Sequence, residues 1–336
     1  KGINHSFLNL MPLRLFMSWI ACFLILQMSA PLLIGASYKS SLRNDITRPF
    51  VGKEFWPNPQ MDWQLKNGRM EVMISKGGKT HDIHLLTHQL KSEEGSFSQS
   101  VRVSFEKINP NKIKRTGFKF GIVGAMPEEY RSNLFGSSGY MAGVTSEGKL
   151  FGPGIESKTT LPKSALEDLR LTLKVEHKGD NCDYALEARN PSMEANGKAF
   201  MSIKKNMRLK KGLLGNFALF ADYSQKNHAA SIPADIQEFQ TDASFQDWQI
   251  SGNKVKQNLD QTFGPILWTQ YTLHRGVMKM TAQVSPMGRM NREKVHLELW
   301  KEDKWKRVQS SVIHEYASTA HFRMENWNEQ QPVPFR

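Results

Sequence analysis

The sequence predicts an all-β protein in which two β-sandwiches follow an N-terminal export segment. Past residue 50, apolar and polar residues alternate with a period of two, as in Leu171, Leu173 and Val175 and again in Val295 and Leu297. This period places one face of a strand on a core and the other face in solvent. Apolar residues make up 39% of the 336 residues, which is enough to build such cores and excludes wholesale disorder.

Turn signals separate the alternating runs, and helical patterns are scarce. Turn-forming residues cluster at four places, namely 76–79, 147–149, 178–181 and 302–304. Short helices are predicted only near 164–169 and 233–239. Many short strands divided by turns favour sandwiches or a jelly roll over a parallel α/β fold.

The segment 1–37 has the form of a secretory signal peptide. No charged residue lies between Arg14 and Lys39, and the stretch 15–26 is strongly apolar. A basic flank, a short apolar stretch and small residues around Ala36 fit a signal that is cleaved nearby. An uncleaved membrane anchor is the alternative, although a proline and polar residues interrupt the apolar stretch. We expect an exported protein, periplasmic or extracellular, that contacts a membrane only if this segment is retained.

A change in composition near 251–265 divides the rest of the chain. We place a larger β-sandwich at 50–252, a polar linker at 253–262 and a smaller β-sandwich at 263–336. The smaller sandwich has room for five or six strands, fewer than the usual seven of an immunoglobulin-like domain.

The two cysteines cannot form a disulfide framework or a four-cysteine zinc site. Cys22 lies inside the export segment and would leave with a cleaved signal. Cys182 is then a lone thiol, which we expect to be buried.

The net charge of +13 raises the question of nucleic acid, but the excess is spread thinly along the chain. The dense basic run at 204–211 lacks the interleaved aromatic residues of a single-strand binding surface. Lysines on an exposed strand edge also discourage aggregation, so the run is interpreted as a solvated edge. We therefore expect no nucleic-acid partner.

Three histidines, His81, His84 and His88, have a spacing that would place them on one face of a helix, where they could hold zinc. The glycines at 77 and 78 and the apolar run before them predict a β-hairpin instead. On a strand, His84 and His88 face one way and His81 faces the other, on a solvent side or in a groove. The zinc interpretation is therefore set aside.

Asp82-Ile83-His84 and Gly179-Asp180 together match the first two motifs of a binuclear metallophosphoesterase. The later Gly-Asn-His motif is absent from this sequence, so we interpret the match as a coincidence. The loop 136–139, the pair Glu128-Glu129 and the acidic turn 179–183 are interpreted as surface features. No catalytic, cofactor-binding or metal-binding residue is assigned in this chain.

Several segments of the chain match one known family. They are 84–90, 117–122, 130–133, 142–144, 214–219, 245–252, 263–273, 275–277, 320–327 and 334–336. On these segments the chain resembles the N-terminal half of exported PhoD-like alkaline phosphatases. The resemblance implies a concanavalin- or laminin-G-like sandwich, then an immunoglobulin-like domain, then a metallophosphoesterase domain past Arg336. That last domain would bind divalent metals, and the twin-arginine signal of the family is missing here.

Three functions therefore stay open. The first is the non-catalytic part of a PhoD-like phosphatase, a truncated chain whose partner is its own C-terminal metallophosphoesterase domain. The alternative is a stand-alone extracytoplasmic carbohydrate-binding module with a glycan or cell-surface ligand. A sandwich glycoside hydrolase would require two carboxylates on one sheet face, separated by roughly 5–10 Å. Whether the chain is an enzyme is left open.

Overall fold

Regular secondary structure in the described residues is almost entirely β-strand, as the period-two alternation predicts. The computed structural model describes residues 35–73, 80–105, 113–136, 138–191, 200–209, 212–223, 241–287 and 293–336. The predicted helix at 233–239, the turn at 76–79 and most of the export segment lie outside these ranges.

The first sheet has nine strands in the described part of the chain. They are β1 (Ala36–Lys39), β2 (Thr47–Arg48), β4 (Trp63–Lys66), β5 (Arg69–Met73), β7 (Gly95–Phe105), β12 (Leu169–Lys178), β13 (Asn181–Arg189), β14 (Met201–Arg208) and β16 (Thr241–Gly252). Their order is β14-β13-β12-β7-β16-β5-β4-β2, and β1 pairs with the end of β16.

The second sheet has eight strands within the same ranges. They are β3 (Phe55–Asn58), β6 (Thr80–Leu90), β8 (Ile113–Ile122), β9 (Tyr140–Thr145), β10 (Leu150–Gly152), β11 (Ile155–Glu156), β15 (Gly215–Tyr223) and β17 (Val255–Gln257). Their order is β11-β10-β9-β8-β15-β6-β17, and β3 also pairs with β6.

The two sheets pack face to face over a continuous apolar core. Trp248 of β16 stacks on Phe55 of β3, with ring centroids 6.4 Å apart. Phe97 of β7 meets Phe217 of β15 at 5.3 Å. Both contacts join one sheet to the other, so the predicted all-β, two-sheet sandwich is confirmed.

The hairpin predicted between 70–74 and the histidine segment is wrong. Strand β5 pairs with β4 and β16 in the first sheet, whereas β6 lies in the second sheet between β15 and β17. Every described residue of β6 from His81 to Leu90 is buried. A strand covered on both faces belongs at the centre of a sheet and does not pair as an exposed hairpin.

Short helices occupy little of the described chain. They are α1 (Tyr130–Asn133) and α2 (Lys163–Leu166), together with a single 3₁₀ turn at Gln60–Asp62. Helix α2 confirms the helix predicted near 164–169, but it ends earlier because β12 begins at Leu169. The predicted turns at 147–149, 178–181 and 302–304 each join two antiparallel strands.

Five further strands follow in the described residues beyond 263. They are β18 (Ile266–His274), β19 (Val277–Val284), β20 (Lys294–Lys301), β21 (Lys304–Val312) and β22 (Thr319–Met324). Strands β18, β19 and β22 form one sheet, and β20 pairs with β21 in another. They surround a second, smaller apolar core that includes Phe50. Ion pairs from Arg43 and Arg48 to Glu293 connect this region to the large sandwich.

Two strands occupy segments that were expected to be irregular or removed. Strand β1 begins at Ala36, inside the segment 1–37, and pairs with β16 from Gly252 to Gln249. Strand β17 lies inside the linker 253–262 and pairs with β6. Among the described residues, no helix combines the length and apolar character needed to cross a bilayer.

Candidate binding groove

The outward face of the nine-stranded sheet brings together residues from six distant segments. Alternation along β12 and β13 buries every second side chain and leaves the others facing solvent. The strand registers align one outward row in the order Ser37, Ser251, Ser98, Lys174, Ala185 and Lys204. Neighbouring strands lie about 4.8 Å apart, so this row spans roughly 24 Å.

A groove follows this row and consists of two adjoining depressions. One has a volume of about 820 Å³ and the other about 610 Å³. Both are lined by Ser98, Lys174 and Ser251. Volumes of this size match those of small-molecule and oligomer sites in proteins.

Side-chain size explains why the sheet is hollow here. Four of the six residues in the row are serine or alanine, which leave space above the backbone. Lys174 and Lys204 are exposed on either side of Ala185, which is the smallest side chain of the row. The result is a notch with an alanine floor between two lysines.

The carboxylates near the notch have other partners. Glu176 forms an ion pair with Lys178 at 2.6 Å, and Asp183 accepts a hydrogen bond from the Asn206 amide at 2.8 Å. Glu187 pairs with the Arg189 guanidinium at 2.9 Å. In the described part of the chain, Lys174 and Lys204 form no ion pair with any of them.

Glu176 and Asp183 lie directly opposite each other on β12 and β13. Opposed residues of this kind have Cβ atoms about 4.5–5.5 Å apart. Two carboxylates therefore lie close together on one sheet face, as a glycoside hydrolase requires. However, the Glu176 side chain is 52% exposed. The general acid of a glycoside hydrolase lies in a covered site, whereas both carboxylates of this pair are exposed.

The three histidines do not face solvent, which corrects the expectation for them. His81, His84 and His88 lie on β6 as predicted for a strand, but all three are buried. The His81 ring lies 2.8 Å from the Asp62 carboxylate, and His88 Nδ1 lies 2.9 Å from the Thr87 hydroxyl. Burial lowers the pKa of His84 to about 3. The covered central position of β6 is the reason that the solvent-side expectation fails.

The residues that imitate a metallophosphoesterase are not brought together. Asp82 lies on β6 of the eight-stranded sheet, 2.6 Å from the Lys119 ammonium. Gly179 and Asp180 form the β12–β13 turn of the other sheet. No group of three or more His, Cys, Asp or Glu side chains within the described ranges is arranged to hold a metal ion.

The remaining motifs have local structural roles. Glu129 caps helix α1 by accepting a hydrogen bond from the Arg131 amide at 3.1 Å. The Ser138 hydroxyl, in the 136–139 loop, donates to the Val123 carbonyl at 2.6 Å. Cys182 is a buried free thiol, as expected, and burial raises its pKa to about 12.

The groove was not predicted from the sequence. The run at 204–211 was interpreted as a solvated edge, and Lys204 does lie on the edge strand β14, but it also lines the groove. A weak signal was present in β7, where Ser96, Ser98 and Ser100 place small polar side chains at three successive outward positions.

Comparison with known proteins returns solved structures only. No family model matches the sequence, and no curated protein matches it. A Bauhinia forficata lectin in complex with GalNAc is similar over 65% of this chain and 98% of its own, with 7% identity and a TM-score of 0.38. The carbohydrate recognition domain of Emp47p is similar over 67% and 98%, with 11% identity and a TM-score of 0.34.

An endo-1,3-beta-glucanase from Streptomyces sioyaensis is similar over 57% of this chain and 79% of its own, with 10% identity and a TM-score of 0.35. All three overall similarities are low. The chain is an all-β, two-sheet sandwich. That assignment depends on the strand pairing and the shared core described above.

Proposed function

We propose that this protein is an exported carbohydrate-binding module that holds a saccharide in the groove of the nine-stranded sheet. The observation that carries the proposal is the notch at Ala185, an open polar depression built from adjacent strands of one sheet. Sites on strands hold their side chains more firmly than sites on loops.

The chemistry of the lining suits a hydroxyl-rich ligand. Ser98 and Ser251 provide hydroxyl groups that both donate and accept hydrogen bonds, and the exposed lysines provide further donors. Ala185 has a small side chain and the flanking Lys174 and Lys204 have long ones, so a chain-like ligand can lie across the strands above Ala185. Export through the N-terminal segment would place this groove where extracellular glycans occur.

Filling the notch tests the proposal. We expect the full chain to bind saccharides in a glycan array and in calorimetric titration, and Ala185→Gln to weaken binding at least about tenfold because its side chain occupies the floor. Ala317→Gln is the matched control, because Ala317 is exposed outside the groove. Absence of any saccharide binding, or binding that Ala185→Gln leaves unchanged, would overturn the proposal.

A second candidate is the non-catalytic part of a PhoD-like phosphatase, in which this chain positions a metallophosphoesterase domain. The observation in its favour is the exposed apolar character of β18, where Tyr271 and Leu273 share one face and are 52% and 38% exposed, and Trp268 on the other face is 50% exposed. Apolar surfaces of this kind are typical of faces that another folded unit covers. We expect no hydrolysis of p-nitrophenyl phosphate by the 336-residue chain with added divalent metals. Turnover by this chain alone would contradict the second candidate.

A further inference from the structure

We propose that the saccharide held in the groove is acidic, and that its carboxylate or sulfate group lies between Lys174 and Lys204 above Ala185. This inference rests on the proposed function, because it names the class of ligand for the same site. Two features of the outward face support it: an excess of positive charge and the lack of an aromatic ring on the outward row.

The outward side of the groove carries more positive than negative charge. Five basic side chains line the two depressions on this side: Lys39, Arg170, Lys174, Arg189 and Lys204. Three acidic side chains line them as well: Glu176, Asp183 and Glu187. Lys205 also borders the groove, but its ammonium group donates to the Gly154 carbonyl and is therefore engaged elsewhere.

Ion pairs engage both arginines and two of the three acids, Glu176 and Glu187, whereas Asp183 keeps its charge and accepts a hydrogen bond from the Asn206 amide. Arg189 pairs with Glu187, and Arg170 lies 3.4 Å from the Asp247 carboxylate. Glu176 is paired with Lys178 outside the notch. Apart from Lys205, whose ammonium group is held by the Gly154 carbonyl, the cations of the groove that form no ion pair within the described ranges are Lys39, Lys174 and Lys204.

Two of these three lysines share a single notch. The registers Lys174↔Ala185 and Ala185↔Lys204 place their Cα atoms two strands apart, or roughly 10 Å. Each lysine carries an ammonium group on a flexible four-carbon stem, so both can reach the space above Ala185. An anionic group there would accept charge-assisted hydrogen bonds from both sides, which are stronger than bonds between neutral groups.

The lack of an aromatic ring on the outward row favours an acidic saccharide over a neutral sugar or a single-stranded nucleic acid. Tyr38, Phe97 and Tyr184 of the lining belong to the core, so none of them offers a ring to the outward row. A neutral sugar would then lack an aromatic surface for its apolar face. A single-stranded nucleic acid would lack the stacking partners that its bases require. This face offers serine hydroxyl groups and lysine ammonium groups, and an acidic saccharide can bind through both.

The experiment titrates the full chain with oligomers of equal length: a polyuronate, a sulfated glycan, a neutral glucan and single-stranded DNA. We expect the acidic saccharides to bind at least tenfold more tightly than the glucan, and their affinity to fall as salt is raised, because salt screens exposed charges. Preference between the polyuronate and the sulfated glycan identifies whether a carboxylate or a sulfate occupies the notch.

Neutral substitutions separate charge from shape. Lys174→Gln and Lys204→Gln should each weaken acidic saccharide binding about tenfold, since each removes one charge-assisted contact. Lys279→Gln, at an exposed position of β19 outside the groove, should not change it. Circular dichroism of each variant verifies that the sandwich is folded.

Three results would overturn the inference, and they are distinguishable. Equal binding of the neutral glucan, unaffected by either lysine substitution, overturns the acidic ligand but preserves the carbohydrate-binding function. DNA binding that matches the acidic saccharides and depends on the same lysines replaces the saccharide with nucleic acid. Binding of none of the four oligomers overturns the proposed function together with this inference.

Discussion

The outward faces of the two sheets use the same residue types in opposite ways. On the nine-stranded sheet, Lys174 and Lys204 are exposed and free of ion pairs within the described residues. On the eight-stranded sheet, the Lys119 side chain is only 10% exposed and pairs with Asp82 at 2.6 Å. An unpaired lysine in solvent is available to a ligand, whereas a buried paired lysine is committed to the fold. Cover, and not residue type, decides which of these lysines a ligand can reach.

A histidine of the eight-stranded sheet is buried beside the paired lysine. His84 lies beside this pair, since both His84 and Lys119 are opposite Ala218 in their strand registers. Its Nδ1 atom has no hydrogen-bond partner among the described residues. Burial, followed by the nearby Lys119 charge, lowers the pKa of His84 to about 3. Burial also raises the pKa of the Asp82 carboxyl above its usual value, although Lys119 opposes part of that rise.

The largest expected effect compares two lysine substitutions that differ only in their sheet. Lys119→Met leaves the Asp82 carboxylate buried without its partner, and we expect the free energy of unfolding to fall by about 3–5 kcal/mol. Lys174→Met, the matched change in the groove, should alter it by less than about 0.5 kcal/mol because the side chain is exposed. Urea denaturation followed by tryptophan fluorescence measures both.

A double variant sharpens this comparison. Removing both charges with Asp82→Asn and Lys119→Met should recover part of the lost stability, because no unpaired ion is left buried. Equal losses for Lys119→Met and Lys174→Met would show that the two faces do not differ in the way described.

The second effect concerns pH. His84 has a lower pKa in the folded state than its ordinary value of 6.5, so the unfolded chain binds the extra proton first as pH falls. Its contribution to stability is complete above about pH 6.5 and is lost as pH falls toward about 3. The slope that His84 contributes between these limits is about 1.4 kcal/mol per pH unit. We expect His84→Gln to reduce the slope of the stability–pH curve by that amount, measured by urea denaturation at several pH values.

Parallel curves for the wild type and His84→Gln would contradict this expectation. They would mean that His84 is protonated equally easily in the two states, and therefore that its position on β6 is open to water. The difference in solvent exposure between the two faces would then not extend to His84.

The smallest expected effect on stability is at the groove. Glu176→Gln removes an exposed carboxylate whose ion pair with Lys178 lies in solvent, where such pairs contribute little. We expect no measurable shift in the urea midpoint. Affinity for a polyuronate should rise modestly, because a negative charge beside the notch is lost. A clear loss of stability, or weaker polyuronate binding, would contradict the division between a structural face and a binding face.

Local pattern predicted the strands well and their partners poorly. The alternation at 171–175 correctly predicted a strand with one buried face, because that pattern depends only on the residues of the strand itself. The pairing of β5 with β6 was wrong, because two consecutive strands can lie in different sheets and their own residues do not decide between the two arrangements. His84 was placed on a strand correctly but was expected to be accessible.

The groove could not be predicted for a related reason. Ser37 and Ser251 are adjacent in the sheet although more than half of the chain separates them, and Lys174 meets Lys204 only across β13. Strand order and register are set by packing of the whole core, and a shift of one residue would turn the outward row inward. The short polar side chains of β7 were visible in the sequence, but their neighbours were not.

By itself, the sequence determined that this is an all-β protein with alternating strands, a buried thiol at Cys182 and a diffuse positive charge. These properties follow from hydrophobic period and composition, which act over a few neighbouring residues. Only the tertiary structure decided that Lys119 is buried with Asp82 while Lys174 and Lys204 are exposed around Ala185. The physical reason is that exposure and pairing depend on which strands lie beside each other and what covers them, and both are properties of the assembled core.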